Sequence, residues 1–395
     1  MRAGKYVNQA TGYRAFLPAE LPPDPPVKVD GDLPRLLSDA DRALGRLDGV
    51  ASVLPNPDLF VAMYVRHEAV LSSQIEGTQS TLEDVLEFEL EGKASERAKD
   101  VEEVVNYVGA MNHGLRRLEE LPLCLRLLRE IHGELLQGVR GSERSPGEFR
   151  TSQNWIGPTG CTLKNAAFVP PPPAEMREAL NDLERFLHDR TSLPVLIHCA
   201  LAHAQFETIH PFLDGNGRVG RLLITLLLCE REILHQPLLY LSYYLKAHRA
   251  QYYDRLMAIR NDGDWEGWVR FFLRGVFEVS QGATETARAI LDLREKHRKT
   301  ISERGSGSAN GHRLLDFLFE RPIISVRMAE EHLACSYVTA ANVVDEMARL
   351  GILREITGQQ RNRKYRYDPF MELFDRQILP LPDDEATRDI PTTES

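Results

Sequence analysis

Apolar residues recur at helical spacing through most of this chain. Phe60, Tyr64, Leu71 and Ile75 fall four or seven residues apart with polar residues between them, which predicts a helix over about 58–74. Gly77 supplies its stop. Further helices are predicted near 81–90, 98–120, 125–137 and 175–190, each with Gly or Pro near its ends. Two segments, about 195–208 and 217–232, are apolar nearly all round, as helices at the centre of a bundle should be. Helices continue to about residue 300, where Arg304, Gly305, Ser306, Gly307 and Ser308 read as a flexible linker. Beyond it, 312–320, 325–333 and 337–349 read as three short helices, and the basic stretch from Arg361 to Tyr367 alternates charge with aromatics as a β-wing does. A polar tail follows from about 379.

Two regions depart from helical periodicity. Between 146 and 173, Pro146, Gly147, Gly157, Pro158 and Gly160 are interspersed with Phe149, Trp155, Ile156, Phe168 and Val169. That pattern reads as a short β-hairpin or flap, closed by Pro170 to Pro173. In residues 1–30, Pro18, Pro22, Pro23, Pro25 and Pro26 exclude a continuous helix or central strand and predict an extended arm laid on the surface.

Composition narrows the class. The chain has 395 residues, 43% apolar and 27% charged, enough for two or three globular cores. Its net charge of -10 argues against a global polyanion binder but allows one locally basic module. The five cysteines lie far apart, with no CxxC pair, which fits a reducing compartment without disulfides or structural zinc. No apolar run reaches the ~20 residues of a membrane span, and the N-terminus does not read as a signal peptide. A cytoplasmic protein without a membrane partner is expected.

The chemistry concentrates in one linker, from His210 through Pro211, Phe212, Leu213, Asp214, Gly215, Asn216, Gly217, Arg218, Val219 and Gly220 to Arg221. Glycines beside a helix start let backbone N–H groups face an anion that the helix dipole favours. Asp214 offers oxygen to a hard cation such as Mg2+. Arg218 and Arg221 are one turn apart and can both reach a polyphosphate. The bland readings are a hairpin turn at Asn216 and Gly217, a calcium loop, and a His that only ends a helix. The helical flanks oppose the first, and Arg218 stands where the second needs oxygen.

This linker resembles the signature of the Fic family, His-x-Phe-x-Asp/Glu-Gly-Asn-Gly-Arg-x-x-Arg, at every specified position. The flap around Phe149, Arg150, Gln153, Asn154, Trp155, Ile156 and Gly157, and the pair Tyr252 and Tyr253, also resemble that family's. The resemblance covers about residues 60–280 and implies an enzyme that transfers AMP from ATP to a Ser, Thr or Tyr hydroxyl of a target protein, the chain itself included. It implies His210 as general base, Asp214 as Mg2+ ligand, and Gly215, Asn216 and Gly217 as the anion hole. Arg218 and Arg221 would hold the outer phosphates. Val219 and Gly220 of the same loop are expected among the nucleotide-binding residues, and Asn154 to Gly157 with Tyr252 and Tyr253 would border the nucleotide. An extended target segment would pair with the flap's edge, although Trp155 and Ile156 also read as plain core.

Ser72 to Gly77 resembles the family's inhibitory pattern Ser/Thr-x-x-x-Glu-Gly/Asn. A Glu in the last turn of a helix is opposed by the dipole unless a cation offsets it, and Arg221 is the expected partner. Glu76 would then keep Arg221 from the γ-phosphate, or align a water to remove AMP. The other reading is a solvated surface Glu.

The expected architecture is therefore mostly α, a Fic-type helical bundle with a small β-hairpin flap and a C-terminal winged helix-turn-helix. Its divisions are an arm and first helix (1–57), an inhibitory region (58–97), a catalytic core (98–300), the winged helix (310–370) and a partly disordered tail (371–395). Residues 310–367 carry nine Lys or Arg against seven Asp or Glu, so DNA binding and protein interaction, including a homodimer, both stay open for that module. The competing functions are removal of AMP, transfer of another nucleotide, and a DNA-binding transcription regulator without enzymatic activity. The last leaves the loop unexplained.

Overall fold

The computed structural model describes residues 2–52, 57–91, 98–158, 160–303, 308–359 and 361–375. The chain opens with a two-stranded antiparallel pair, β1 (Gly4–Asn8) and β2 (Arg14–Pro18). The helices α1 (Leu33–Ser52), α2 (Pro57–Ile75), α3 (Leu82–Glu91), α4 (Ala98–Leu118) and α5 (Leu125–Leu135) follow. After the flap come α6 (Pro173–His188), α7 (Val195–Ile209), α8 (Asn216–Glu230), α9 (Ser242–Ala247), α10 (Arg249–Asp262) and the long α11 (Trp265–Glu303). The C-terminal part contains α12 (Ser308–Glu320), β3 (Ile323–Ser325), α13 (Val326–Leu333), α14 (Tyr337–Arg349), β4 (Arg354–Glu355), β5 (Lys364–Arg366) and α15 (Asp368–Asp375).

The segments read as apolar all round do lie at the centre. Every residue of α7 from Leu196 to Ile209 is buried, and α8 packs beside it with Val219 and Leu222 to Leu228 buried. Burying a Leu or Ile side chain contributes about 1.5–3 kcal/mol, so this pair anchors the loop that joins them. Around it stand α2, α4, α5, α6 and α11, with α1 lying along α11. Among the described residues no helix is long and apolar enough to cross a membrane.

The N-terminal arm is the main departure from the sequence reading. Instead of lying on the surface as an extended arm, residues 4–18 form a hairpin whose Ala15 and Phe16 are buried. The prolines end β2 at Pro18 and dominate the segment after it, so they do not interrupt the pairing. Phe16 N–H donates to the Val169 carbonyl at 2.9 Å, which adds the hairpin to one edge of the flap.

The C-terminal module has the winged arrangement, three helices and a sheet ordered β3-β5-β4. Ser325 and Ser336 cap α13 and α14 by accepting N–H bonds from Met328 and Thr339. Helix α15 continues past residue 370 and sets the Phe374 ring 5.4 Å from Tyr64 and 5.8 Å from His67 of α2. Arg321 pairs with Glu89 at 3.2 Å, and Arg366 pairs with Glu83, so the module also touches α3. Residues 304–307 of the expected linker and the tail from 376 lie outside the described residues.

Candidate active site

Helix α7 ends at His210, because Pro211 follows and cannot continue it. His210 takes the left-handed conformation (φ 49°, ψ 62°), which costs a non-glycine residue about 1–2 kcal/mol. The surroundings offset that cost. Arg150 Nε donates to the His210 carbonyl at 2.9 Å, and its other nitrogens donate to Pro171 O at 2.6 Å and Ser152 O at 3.1 Å. Asn154 Nδ2 donates to the carbonyls of His210 (3.2 Å) and Phe212 (2.8 Å). The flap base is thereby tied to the loop.

The loop is also braced from within. Asn216 Oδ1 accepts from Phe212 N–H at 2.8 Å while its Nδ2 donates to Phe212 O at 2.9 Å. His132 stacks on Phe212 with centroids 3.7 Å apart. Its Nδ1 accepts from Gly147 N–H at 2.8 Å, so Nε2 carries the proton and donates to Asp214 O at 3.0 Å. Burial pushes the His132 pKa down to about 4, which keeps that tautomer neutral.

Gly215 caps α8 in a left-handed conformation (φ 75°). The first-turn N–H groups of α8 therefore have no partner within the helix. Glu76 sits on that turn: a Cβ added at Gly217 would meet Glu76 Oε1 at 2.2 Å. Glu76 Oε1 accepts from Arg221 Nη2 at 2.7 Å, and Arg221 also donates to Ser72 Oγ (2.7 Å) and Ser72 O (3.1 Å). Burial works against the Arg221 charge, yet Glu76 together with Tyr252, Tyr253 and Tyr107 outweighs it, and the Arg221 pKa is raised.

The loop's arginines diverge. Arg221 turns to α2, whereas Arg218 turns to α4 and bonds Glu103 Oε2 (3.0 Å) and Asp214 Oδ1 (3.2 Å). The two side chains find acceptors on different neighbouring helices, so one helical turn of separation does not place them on one ligand face. Asp214 is enclosed by Arg218 and by Gly141, where a Cβ would come within 2.8 Å of Asp214 Oδ2. Val219 and Gly220, expected beside the nucleotide, instead face the core and α7. Val219 is fully buried, and Gly220 O accepts from His203 Nδ1 at 2.8 Å.

His203 Nε2 in turn accepts from the Tyr252 hydroxyl at 2.9 Å, and the Tyr253 ring lies 5.0 Å from that of Tyr252. In the flap, Ile156 and Phe168 exchange backbone bonds of 2.8 and 3.0 Å, and Trp155 Nε1 donates to Cys161 O at 3.2 Å. Phe168 uses both backbone groups on Ile156, so the neighbouring Val169 carbonyl faces away and meets the N-terminal hairpin. The edge at residues 154–157 is the side the hairpin leaves uncovered.

His210 is buried, and its Nδ1 has no hydrogen-bond partner among the described residues. Burial, followed by the charges of Arg150 and Arg260, pushes its pKa down to about 3. Sequence reasoning missed Arg260, Glu207, Glu103 and His132 as site residues, because none belongs to a recognisable motif and each acts across a tertiary contact.

Glu207 on α7 illustrates the electrostatic cost of this site. Burial pushes its pKa up to about 7, opposed mainly by Arg221. Because the folded value lies above the ordinary 4.5, the stability it contributes is fully present below pH 4.5 and is lost as pH rises through about 7. Glu207→Gln should flatten urea unfolding free energies between about pH 5 and 8, removing a change of up to about 3 kcal/mol. An unaltered pH slope would show that Glu207 is ionised throughout.

Comparison with known proteins follows the same geography. Residues 34–116 match the family model described as Fic/DOC family N-terminal, residues 122–228 match Fic/DOC family, and residues 312–366 match HTH DNA binding domain. Protein adenylyltransferase Fic of Aedes aegypti is 36% identical over 152 residues, covering 38% of this chain and 27% of that protein. Its namesake in Drosophila grimshawi is 31% identical over 203 residues, covering 50% and 38%. The chain thus spans less than half the length of these curated relatives. The crystal structure of a Fic family protein from Desulfovibrio desulfuricans G20 aligns over 87% of this chain and 97% of its own. With a TM-score of 0.56 and 20% identity, that likeness is one of fold.

Proposed function

We propose, from the premise that this chain carries the Fic/DOC family N-terminal and Fic/DOC domains, that it transfers AMP from ATP to a hydroxyl side chain of a target protein under restraint by Glu76. One observation carries the reading: the Glu76 carboxylate is seated on the first turn of α8 and bonded to Arg221. A helix N-terminus beside a buried guanidinium is where a phosphate binds, and here a protein carboxylate holds that place.

With Glu76 withdrawn, Arg221 can grip the outer phosphates while the N–H groups of Asn216, Gly217 and Arg218 face those nearer the reaction. Asp214 fits Mg2+ because its carboxylate is a hard donor, and Gly141 brings no side chain to collide with that carboxylate. Bound there, the ion would neutralise phosphate charge as the bond to the leaving group breaks. His210 takes the proton of the incoming hydroxyl, whose oxygen bonds to the α-phosphorus. The bond from that phosphorus to the bridging oxygen then breaks and pyrophosphate departs with the electron pair. A His held near pKa 3 is unprotonated but a weak base. A bound polyphosphate would favour its protonated form, as the Glu76 carboxylate does here.

The target segment would pair with the flap edge at 154–157, since the N-terminal hairpin takes the other. Intact-mass spectrometry of the chain and of trapped targets after incubation with ATP and Mg2+ tests the reading. Addition of one AMP supports it, and addition of a phosphate or no addition by a Glu76→Gly chain refutes it.

The C-terminal module supports a second, separate role. Helix α14 opens with the exposed Tyr337 (52%) and Val338 (68%), and Arg361, Arg363 and Lys364 lie on the adjoining wing. These groups suit a major groove and its flanking phosphates. Duplex DNA affinity should fall steeply with salt, and Arg363→Ala with Lys364→Ala should reduce the salt slope by about 2. Absence of DNA binding at low salt would favour a protein partner.

A further inference from the structure

Arg260 lies on α10, two turns beyond Tyr252 and Tyr253, and only 4% of it is exposed. Its guanidinium bridges two parts of the site. On one side Nη2 donates to Glu207 O at 3.1 Å and Nε to Thr208 Oγ1 at 3.2 Å, both in the last turn of α7 before His210. On the other it covers the ring of Phe168, 3.8 Å from the centroid. Phe168 is bonded in both directions to Ile156, so the ring belongs to the flap.

An arginine that merely caps a helix C-terminus keeps its charge in water, where capping is cheap. Arg260 is instead buried, and among the described residues no carboxylate forms an ion pair with it. Burial pushes its pKa down to about 10. A desolvated cation without an ion-pair partner is costly, so this placement calls for a role beyond capping. The cation–π contact, the Glu207 carbonyl and the Thr208 hydroxyl together fix its plane.

We propose that Arg260 is a positioning residue for the transfer reaction, a strut that sets the gap between His210 and the flap into which the target hydroxyl is presented. The inference rests on the AMP-transfer reading for its consequence but not for its geometry. If Arg260 is the strut, its removal loosens the flap whether or not the chain transfers AMP. The same charge faces His210 together with Arg150 from the flap side and Glu76 from the end of α2.

Two measurements on the full chain in the Glu76→Gly background test this. Hydrogen exchange at the Ile156 and Phe168 amides should quicken about tenfold or more in Arg260→Met, with the α8 amides unchanged. AMP transfer at saturating ATP should fall about tenfold to a hundredfold while KM for ATP stays within about twofold, since misplacement by an ångström is enough for such a loss. Arg260→Lys, which keeps the charge without the planar fork, should recover part of the rate. Phe168→Leu should quicken the same two amides, and combining it with Arg260→Met should add little, because both break one contact. Unchanged flap exchange in Arg260→Met, or losses that multiply in the double variant, would overturn the strut. Lack of AMP transfer in the parent Glu76→Gly chain would instead count against the functional reading, and the flap exchange would still decide the role of Arg260.

Discussion

Glu76→Gly should raise AMP incorporation, into the chain or its target, by about ten- to a hundredfold. The carboxylate accepts a 2.7 Å bond from Arg221 and lies against Gly217, so it competes with phosphate for both the guanidinium and the helix N-terminus. A hydrogen bond to a charged group is worth about 1.5–3 kcal/mol, and each 1.4 kcal/mol is tenfold. Releasing one such bond accounts for the expected gain. Adding Arg221→Ala should cancel it, because the freed guanidinium is what the outer phosphates would use. Ser72 alone would not hold Arg221 back, since it is neutral and occupies other nitrogens of the fork or shares them. If Glu76 also aligns a water against an AMP-protein bond, Glu76→Gly should lose removal of AMP from a modified protein. Quantitative mass spectrometry with ATP and Mg2+ saturating provides the readout. Incorporation no faster than wild type would sink the restraint and leave the catalytic loop untouched.

His210→Ala, in the same Glu76→Gly background, should lower transfer by about a hundredfold to ten-thousandfold, the range for a positioned general base. ATP affinity measured by calorimetry should stay within about twofold. On the proposed reading the side chain would act on the proton of the incoming hydroxyl, whereas the loop's backbone would hold the nucleotide. That separation is credible here because Arg150 and Asn154 grip the His210 carbonyl and Asn216 grips Phe212, none of them through the imidazole. Alanine retains the Cβ and tolerates the left-handed conformation no worse than histidine by more than a fraction of the ~1–2 kcal/mol at stake. Undiminished AMP incorporation would remove His210 from its role. A parallel loss of ATP binding would mean that the loop had rearranged.

What could be read from the sequence alone shares one property: it is written over short spans. The bundle helices follow from a repeat of 3.6 residues, and α7 and α8 are recognisable as central because their own residues are apolar on every face. The loop from His210 to Arg221 and the pattern ending at Glu76 are contiguous strings whose chemistry is local. Their being brought together, across a separation of 145 residues between Glu76 and Arg221, required the packing of α2 on the centre of the bundle. Tertiary structure alone decided the rest. Arg218 turns away from Arg221 to Glu103, 115 residues away, because α4 brings a buried carboxylate within hydrogen-bond reach. The N-terminal segment becomes a hairpin because the flap offers it an edge at Val169, and no periodicity in residues 1–30 signals that partner. In sequence Arg260 belongs to no motif. It becomes a buried link between His210's helix and Phe168 only when α10 is laid against α7, because desolvation and hydrogen bonding depend on neighbours in space that its own segment does not contain.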